Sequence, residues 1–265
     1  MKFLNSHHFY ALITTIFWSL AYVLIRLGLE YFSVFSLGFL RYAIASIVLI
    51  AVCLISKISF PERKDLPWFV LSGATGFFIF ISAYNIGAAS TTAATGSVII
   101  ASVPVFTALL SSLLFRERLR LFQWAAIAVE FAGIVIITTQ GTALSANIGM
   151  LWLLLSAMSL SFYNVIQRRL TFTYSGLQST TYSIFIGTIF LAVFAKPSFT
   201  ELAAAPVNQL SYLLILGIFS SAIAYVAWSK AFEKAEQTSQ VSNYMFFTPF
   251  LTGIFEFAIF REVPG

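Results

Sequence analysis

Aromatic and polar side chains interrupt the long apolar runs of this 265-residue sequence at intervals. Indole, phenol, amide and guanidinium groups can hold a small uncharged or zwitterionic solute by stacking and hydrogen bonding. If the runs cross a membrane, each polar side chain is costly there, so it either packs helices together or contributes to a site. The candidates for binding a solute are Trp18, Tyr22, Arg41, Tyr84, Asn85, Ser97, Tyr163, Asn164, Tyr225, Trp228 and Asn243.

Four charged residues lie in or beside these apolar runs: Arg26, Arg41, Glu130 and Glu256. Arg41 could bind a carboxylate in a bidentate manner, or it could be a structural arginine whose head group reaches the membrane interface. Glu256 is the candidate for proton coupling, because a carboxyl group in an apolar setting can take up and release a proton. Glu130 is a second candidate proton carrier, but we interpret it as structural. Arg26 is interpreted as a solvated helix end.

The composition is that of a membrane protein and argues against an enzyme. Hydrophobic residues make up 59% of the chain and charged residues 9%, against roughly a quarter charged in soluble domains. Cys53 is the lone cysteine and His7 and His8 are the only histidines, so we expect no disulfide framework, no metal site and no cofactor. No nucleophile, phosphate-binding or metal motif suggests catalysis. The expected partners are a small-molecule substrate and the lipid bilayer, and the net charge of +5 requires no nucleic acid.

Nine apolar runs have about the ~20 residues that a bilayer-crossing helix needs. Because the backbone must satisfy its own hydrogen bonds in lipid, such runs are helices, and the fold class is an all-α membrane protein. The predicted spans are 8–28, 32–55, 67–89, 92–114, 121–139, 147–168, 176–195, 210–230 and 238–260.

The sequence contains an internal repeat. An offset of 145 aligns Pro104 with Pro249, and an offset of 144 aligns Tyr84 with Trp228. We therefore expect a first five-helix repeat at 1–141 and a second repeat at 142–265 that lacks its last helix. The complete fold is expected to have ten helices and to continue beyond the given sequence. A nine-helix protein is the alternative. Five is an odd number, so the repeats are inverted relative to each other, and an inverted repeat is typical of transporters with a site between the halves.

Loop charges predict the orientation of the chain. Eleven lysines and arginines fall in loops on the side of the N-terminus, against three on the other side. Basic loops stay cytoplasmic, so the N-terminus is expected inside the cell.

Pro104 and Pro249 are each expected in the middle of a helix. Proline removes one backbone hydrogen bond and opens a kink, so these positions are candidate hinges. The alternative is ordinary proline of membrane helices, which lipid tolerates.

Several of these features together resemble a known family. Trp18-Ser19, Arg41, Tyr84, and Pro104 followed by Arg116-Glu117-Arg118-Leu119 recur in part as Trp228, Pro249 and Arg261-Glu262. The pattern resembles EamA-type transporters of the drug/metabolite transporter superfamily and covers nearly the whole chain.

This resemblance implies a bacterial inner-membrane exporter of small metabolites whose central cavity is enclosed by helices 1–4 and 6–9. The expected function is secondary transport of amino acids or similar zwitterionic or aromatic solutes by alternating access, with a proton or a counter-solute as candidate coupling partner. The alternative is a passive channel or a membrane scaffold.

Overall fold

The computed structural model describes residues 6–115 and 146–261, and between them positions 121, 124, 125, 128, 129 and 132. The described residues contain eight helical spans long and apolar enough to cross a bilayer. Nine spans were predicted; the one at 121–139 lies largely outside the described residues, as does the expected repeat boundary at 141–142. In chain order the spans, called span 1 to span 8 below, are His7–Leu29, Val34–Ser56, Arg63–Ala88, Thr95–Phe115, Ile148–Leu170, Gly176–Ala203, Val207–Lys234 and Thr238–Phe260.

Several spans consist of more than one helical segment. The α-helices are His7–Leu29, Val34–Ser56, Leu66–Gly73, Phe80–Ala88, Ala93–Ile100, Val103–Phe115, Ala146–Leu170, Gly176–Leu191, Ala195–Ala203, Val207–Ile215, Ala224–Lys234, Thr238–Ser242 and Thr248–Phe260. Short 3₁₀ segments at Arg63–Asp65, Ala192–Phe194 and Asn243–Phe247 start, bend or join these helices.

Spans 3 and 7 each contain a π-helical segment that the sequence did not predict. The segments are Ala74–Ile79 and Leu216–Ile223. At the offset of 144 the first segment aligns with part of the second, so the two repeats share this local distortion of the helix at equivalent positions. Such segments occur mostly as single turns inside α-helices and are frequent at functional sites.

The two repeated prolines lie near the middle of spans 4 and 8, as predicted, and each begins an α-helical segment within its span. Pro104 is the second residue of Val103–Phe115, after a turn that interrupts span 4. Pro249 is the second residue of Thr248–Phe260, after the 3₁₀ segment Asn243–Phe247. Proline has no N–H and clashes with the preceding turn, whereas the first turn of a helix accommodates it. The regular α-helix is therefore interrupted ahead of each proline, while the helical span continues through it.

Hydrogen bonds between spans repeat with the sequence. Thr14 Oγ1 in span 1 donates to the Ala224 carbonyl in span 7 at 2.9 Å. Ser156 Oγ in span 5 donates to the Phe80 carbonyl in span 3 at 3.0 Å. These two bonds are related by the offsets 142 and 144, so each half of the chain packs its first helix against the third helix of the other half.

Close helix crossings are repeated in the same way. A Cβ atom added at Gly73 would lie 2.8 Å from Ile186, and one added at Gly217 would lie 2.5 Å from Ile44. Both glycines therefore bring a helix of one half close to a helix of the other, as small residues do in membrane proteins.

Ser46 and Thr188 mark the centre of this arrangement. They are 142 positions apart, so they are equivalent residues of the two repeats, and their hydroxyl oxygens lie 3.0 Å apart. Contact between equivalent residues places a pseudo-two-fold axis between spans 2 and 6. The fold is thus an all-α bundle of two interlocked inverted repeats.

Candidate functional site

A small cavity lies among spans 1, 2, 3, 5 and 7, near the centre of the bundle. Its volume is about 20 Å³, which is room for about one water molecule. The two halves are therefore closed around it in this conformation. The lining residues are Trp18, Ala21, Tyr22, Ile25, Arg41, Phe80, Ile81, Tyr84, Leu160 and Tyr225.

Aromatic rings from both halves form much of the cavity wall. The Trp18 ring lies 4.8 Å from the Tyr225 ring and 5.0 Å from the Trp228 ring, and Tyr22 lies 5.3 Å from Tyr84. All five side chains are buried. Such tilted contacts fit the electrostatics of aromatic rings, and they give the site flat apolar faces on which a solute could stack.

Arg41 supplies the positive charge of the cavity. Its side chain is 3% exposed; Nε donates to the Ser221 hydroxyl, and Nη2 donates to the Ser220 carbonyl at 3.4 Å. These two contacts hold one edge of the guanidinium against the π-helical segment of span 7. Within the described residues Arg41 forms no salt bridge with a carboxylate. A guanidinium held in this way can bind the carboxylate of a solute through its remaining N–H groups.

Trp228 and Asn164 lie one layer behind the cavity. The indole Nε1 of Trp228 donates to Asn164 Oδ1 at 2.8 Å, and Asn164 Nδ2 donates to Thr107 Oγ1 at 3.2 Å. These bonds join spans 7, 5 and 4. Tyr22 is the equivalent of Asn164 at offset 142, and Tyr84 is the equivalent of Trp228 at offset 144. The contact between spans 1 and 3 is therefore an aromatic pair, whereas the equivalent contact between spans 5 and 7 is a hydrogen-bonded pair.

Tyr163 supports the wall from behind without lining the cavity. Its ring packs against Phe77 at 5.2 Å and against Tyr225 at 5.7 Å. Gly76 leaves space for this ring, since a Cβ there would lie 2.2 Å from it. Tyr163 therefore fixes the position of Tyr225.

Three predicted site residues lie away from the cavity. Asn85 Nδ2 donates to the Val34 carbonyl at 2.8 Å, which ties span 3 to the start of span 2. Ser97 is buried in the helix Ala93–Ile100, and Asn243 is partly exposed at the start of a 3₁₀ segment. None of the three lines the cavity.

Glu256 pairs with Arg26, a contact that the sequence did not reveal. Arg26 Nη1 lies 2.9 Å from Glu256 Oε1, and the two side chains are 31% and 4% exposed. The Arg26 guanidinium also lies 4.6 Å from the centre of the Phe260 ring. Arg26 lies in the last turn of its helix and is partly exposed, as expected of a helix end, but it also joins span 1 to span 8.

A second buried polar cluster surrounds Gln167 and was missed by the sequence analysis. Gln167 Nε2 donates to Ser72 Oγ at 2.8 Å and to Ser183 Oγ at 3.1 Å, while Gln167 Oε1 accepts from the hydroxyls of Ser179 and Ser229. The cluster joins spans 3, 5, 6 and 7. A signal was present, because Gln167 follows Asn164 by three positions and so shares its helix face.

The comparisons with known proteins agree with this architecture. The model of the EamA-like transporter family matches residues 5–139 and 147–265. A probable terminal-alkyne amino-acid exporter from Streptantibioticus cattleyicolor is 29% identical over 95% of this chain and 84% of its own length. An S-adenosylmethionine uptake transporter from Rickettsia bellii is 29% identical over 87% of this chain and 77% of its own length.

A solved crystal structure supports the fold independently. It superposes with a TM-score of 0.69 over 96% of this chain and 90% of that chain, at 20% identity. With eight apolar spans in its described residues and transporters among its relatives, the protein is a multi-pass membrane transporter of small molecules, and it belongs to the EamA-like transporter family.

Proposed function

We propose that the protein is a secondary transporter that exports amino acids or similar zwitterionic solutes from a bacterial cell by alternating access. The observation that carries the proposal is Arg41, a buried cation in a cavity otherwise walled by aromatic and aliphatic side chains. A carboxylate is the solute group that best complements a desolvated guanidinium. The relative from Streptantibioticus, named as a probable amino-acid exporter, supports the same substrate class.

The proposed binding mode follows from the contacts around the cavity. The solute carboxylate binds Arg41, and its side chain stacks between Trp18, Tyr22 and Tyr84. Trp228 packs behind Trp18, and Tyr163 packs behind Tyr225, a further ring of the cavity wall.

Alternating access requires the central site to open toward one side at a time. In a cavity of about 20 Å³ an amino acid does not fit, so binding needs a movement of the spans. We propose the breaks ahead of Pro104 and Pro249 as the hinges, because equivalent positions in inverted repeats would serve opposite sides of the membrane. In this proposal the repeats are 1–141 and 142–265, the N-terminus is cytoplasmic, and the membrane is the bacterial inner membrane.

Coupling to a proton or to a counter-solute is part of the proposal. Glu256 is the proton candidate, because it is nearly buried and joins spans 1 and 8 through Arg26. A passive channel or a scaffold is the alternative. The closed cavity disfavours the channel, since a channel needs a continuous aqueous path, and the counterflow assay below distinguishes a transporter from a scaffold.

Counterflow in liposomes tests the function directly. Liposomes with purified protein are loaded with one unlabelled amino acid, and uptake of the same labelled amino acid from outside is followed across a panel of amino acids and related solutes. A carrier should give a transient overshoot that saturates with concentration. A passive pore would give no overshoot, and that result with every member of the panel would contradict the proposal.

Two variants locate the site within this assay. Tyr84→Ala removes a ring from the cavity wall and Trp228→Ala removes the ring behind Trp18. Stacking of this kind contributes on the order of 1 kcal/mol beyond area burial, so each variant should slow counterflow several-fold at equal abundance. The matched control is Phe250→Ala, which removes an exposed ring on span 8 and should leave counterflow unchanged. Unchanged counterflow in both test variants would remove Tyr84 and Trp228 from the site.

A further inference from the structure

A second cavity, called the lateral groove here, lies between spans 1, 2, 6 and 7 and shares no residue with the central cavity. Its volume is about 260 Å³. The walls are aliphatic, including Val48, Val52, Leu177 and Ala222. Ile223 at its rim is 41% exposed, so the groove opens on the surface of the bundle that faces lipid.

The repeat shows that this space is specific to one half of the protein. At offsets 142 and 144, the residues equivalent to Val48, Val52, Leu177 and Ala222 are all phenylalanines: Phe190, Phe194, Phe35 and Phe78. Phe35 stacks on Phe194 with ring centres 4.2 Å apart, and Phe78 lies 6.0 Å from Phe190. Large rings therefore occupy the equivalent region of the other half, whereas smaller side chains leave the lateral groove open.

The lateral groove has positive charge at one end only. Lys230 lines it, and Lys234 follows one helical turn later. Their amino groups lie 5.7 Å and 5.9 Å from the centre of the Tyr10 ring. This is the end that the loop charges predict to be cytoplasmic.

Two carboxylates border the same end. Glu233 Oε2 accepts a hydrogen bond from the Gly176 backbone N–H at 2.7 Å, so that carboxylate is directed toward the start of span 6. Glu236 is exposed in the loop that follows span 7. The two lysines and the Tyr10 ring therefore form the charged mouth of the groove, with Glu233 engaged elsewhere.

We propose that the lateral groove binds one anionic phospholipid of the cytoplasmic leaflet. An acyl chain lies along the aliphatic wall and the phosphate lies between Lys230 and Lys234. Apolar contact alone does not select a lipid, because a groove wall and the surrounding lipid chains are equally apolar. Selection comes from the head group, since basic pockets between spans on the cytoplasmic side attract anionic lipid heads.

Native mass spectrometry of the full chain in detergent tests this proposal, with dioleoyl phosphatidylglycerol and dioleoyl phosphatidylcholine as probes. The expected result is one tightly bound phosphatidylglycerol and no equivalent phosphatidylcholine. Each lysine near an anionic surface contributes about fivefold to affinity, so K230Q/K234Q should weaken binding roughly 25-fold. The control Lys196→Gln removes one exposed charge at the opposite end and should bind as the unmodified protein does.

A second pair of substitutions tests the groove itself. V48F/V52F places at these positions the residues that the other half carries at 190 and 194, and it should abolish the bound lipid while both lysines remain. As a control for folding, the thermal unfolding of V48F/V52F in lipid-free detergent should match that of the unmodified protein. If the two unfolding temperatures differ, K230Q/K234Q provides the independent test. Glycerol 1-phosphate should fail to compete, which distinguishes a lipid from a free phosphate ester. Equal binding of the two phospholipids, retention of phosphatidylglycerol by K230Q/K234Q, or competition by glycerol 1-phosphate would overturn the proposal.

Discussion

Replacing Arg41 tests the substrate class most directly. Arg41→Met keeps a side chain of similar length but removes the charge, while Ser220's carbonyl keeps its other donor, Trp18 Nε1 at 3.1 Å. The span 7 backbone therefore remains hydrogen-bonded, and we expect only a modest loss of stability. A hydrogen bond to a charged group contributes about 1.5–3 kcal/mol. Loss of the carboxylate contact should therefore weaken affinity roughly 10- to 150-fold.

The assay compares an amino acid with its decarboxylated amine. The test pair is the amino acid that gives the largest overshoot and the amine that corresponds to it. In counterflow, the unmodified protein should prefer this amino acid to the amine by roughly 10- to 150-fold. Arg41→Met should lose this preference, and Arg41→Lys should restore only part of it, because ammonium is a point charge without the bidentate fork. Arg63→Gln removes an exposed charge and serves as the control. If Arg41→Met discriminated as well as the unmodified protein, the carboxylate assignment would be refuted.

Three further predictions concern packing, coupling and orientation. Gly76→Ala should lower stability by about 1–3 kcal/mol, measured by thermal unfolding in detergent, because its Cβ would overlap the Tyr163 ring; an unchanged unfolding temperature would contradict the packing described here. Glu256→Gln should retain counterflow but lose acceleration by an imposed pH gradient, measured in liposomes; equal acceleration would exclude Glu256 from proton coupling. In a cysteine-free background, Lys196→Cys should react with an impermeant thiol reagent in intact cells and Arg63→Cys should not; the reverse pattern would invert the proposed orientation.

The fold was largely predictable from the sequence because lipid imposes simple rules on it. Apolar runs of bilayer length must be helices, and the repeated passage containing Pro104 and Pro249 indicates two copies of one unit. Local breaks were harder to predict. The π-helical segments lie beside the close helix crossings at Gly73 and Gly217. The hydrophobic periodicity of the sequence does not reveal one extra residue in a helical turn.

The lining of the candidate site could be predicted in part, because residue type identifies candidates but not their partners. Trp18, Tyr22, Arg41, Tyr84 and Tyr225 line one cavity, and they come from four different spans. Asn85 looked equally suitable, yet it binds a backbone carbonyl. The Arg26–Glu256 pair joins residues 230 positions apart, and no local pattern reveals such a contact.

The two repeats differ around the proposed solute site and agree where helices must fit together. Gly73 and Gly217 make equivalent crossings, and Ser46 meets its own equivalent, Thr188. Arg41, in contrast, has Ser183 as its equivalent at offset 142, and that serine belongs to the uncharged cluster around Gln167. In the proposed alternating access, this symmetric framework would give both halves the same way to move, with equivalent contacts breaking and forming on opposite sides of the membrane. In the proposed binding mode, the placement of Arg41 in one half gives a bound solute a defined direction, with its carboxylate toward span 2 and the remainder against the rings of spans 1 and 3.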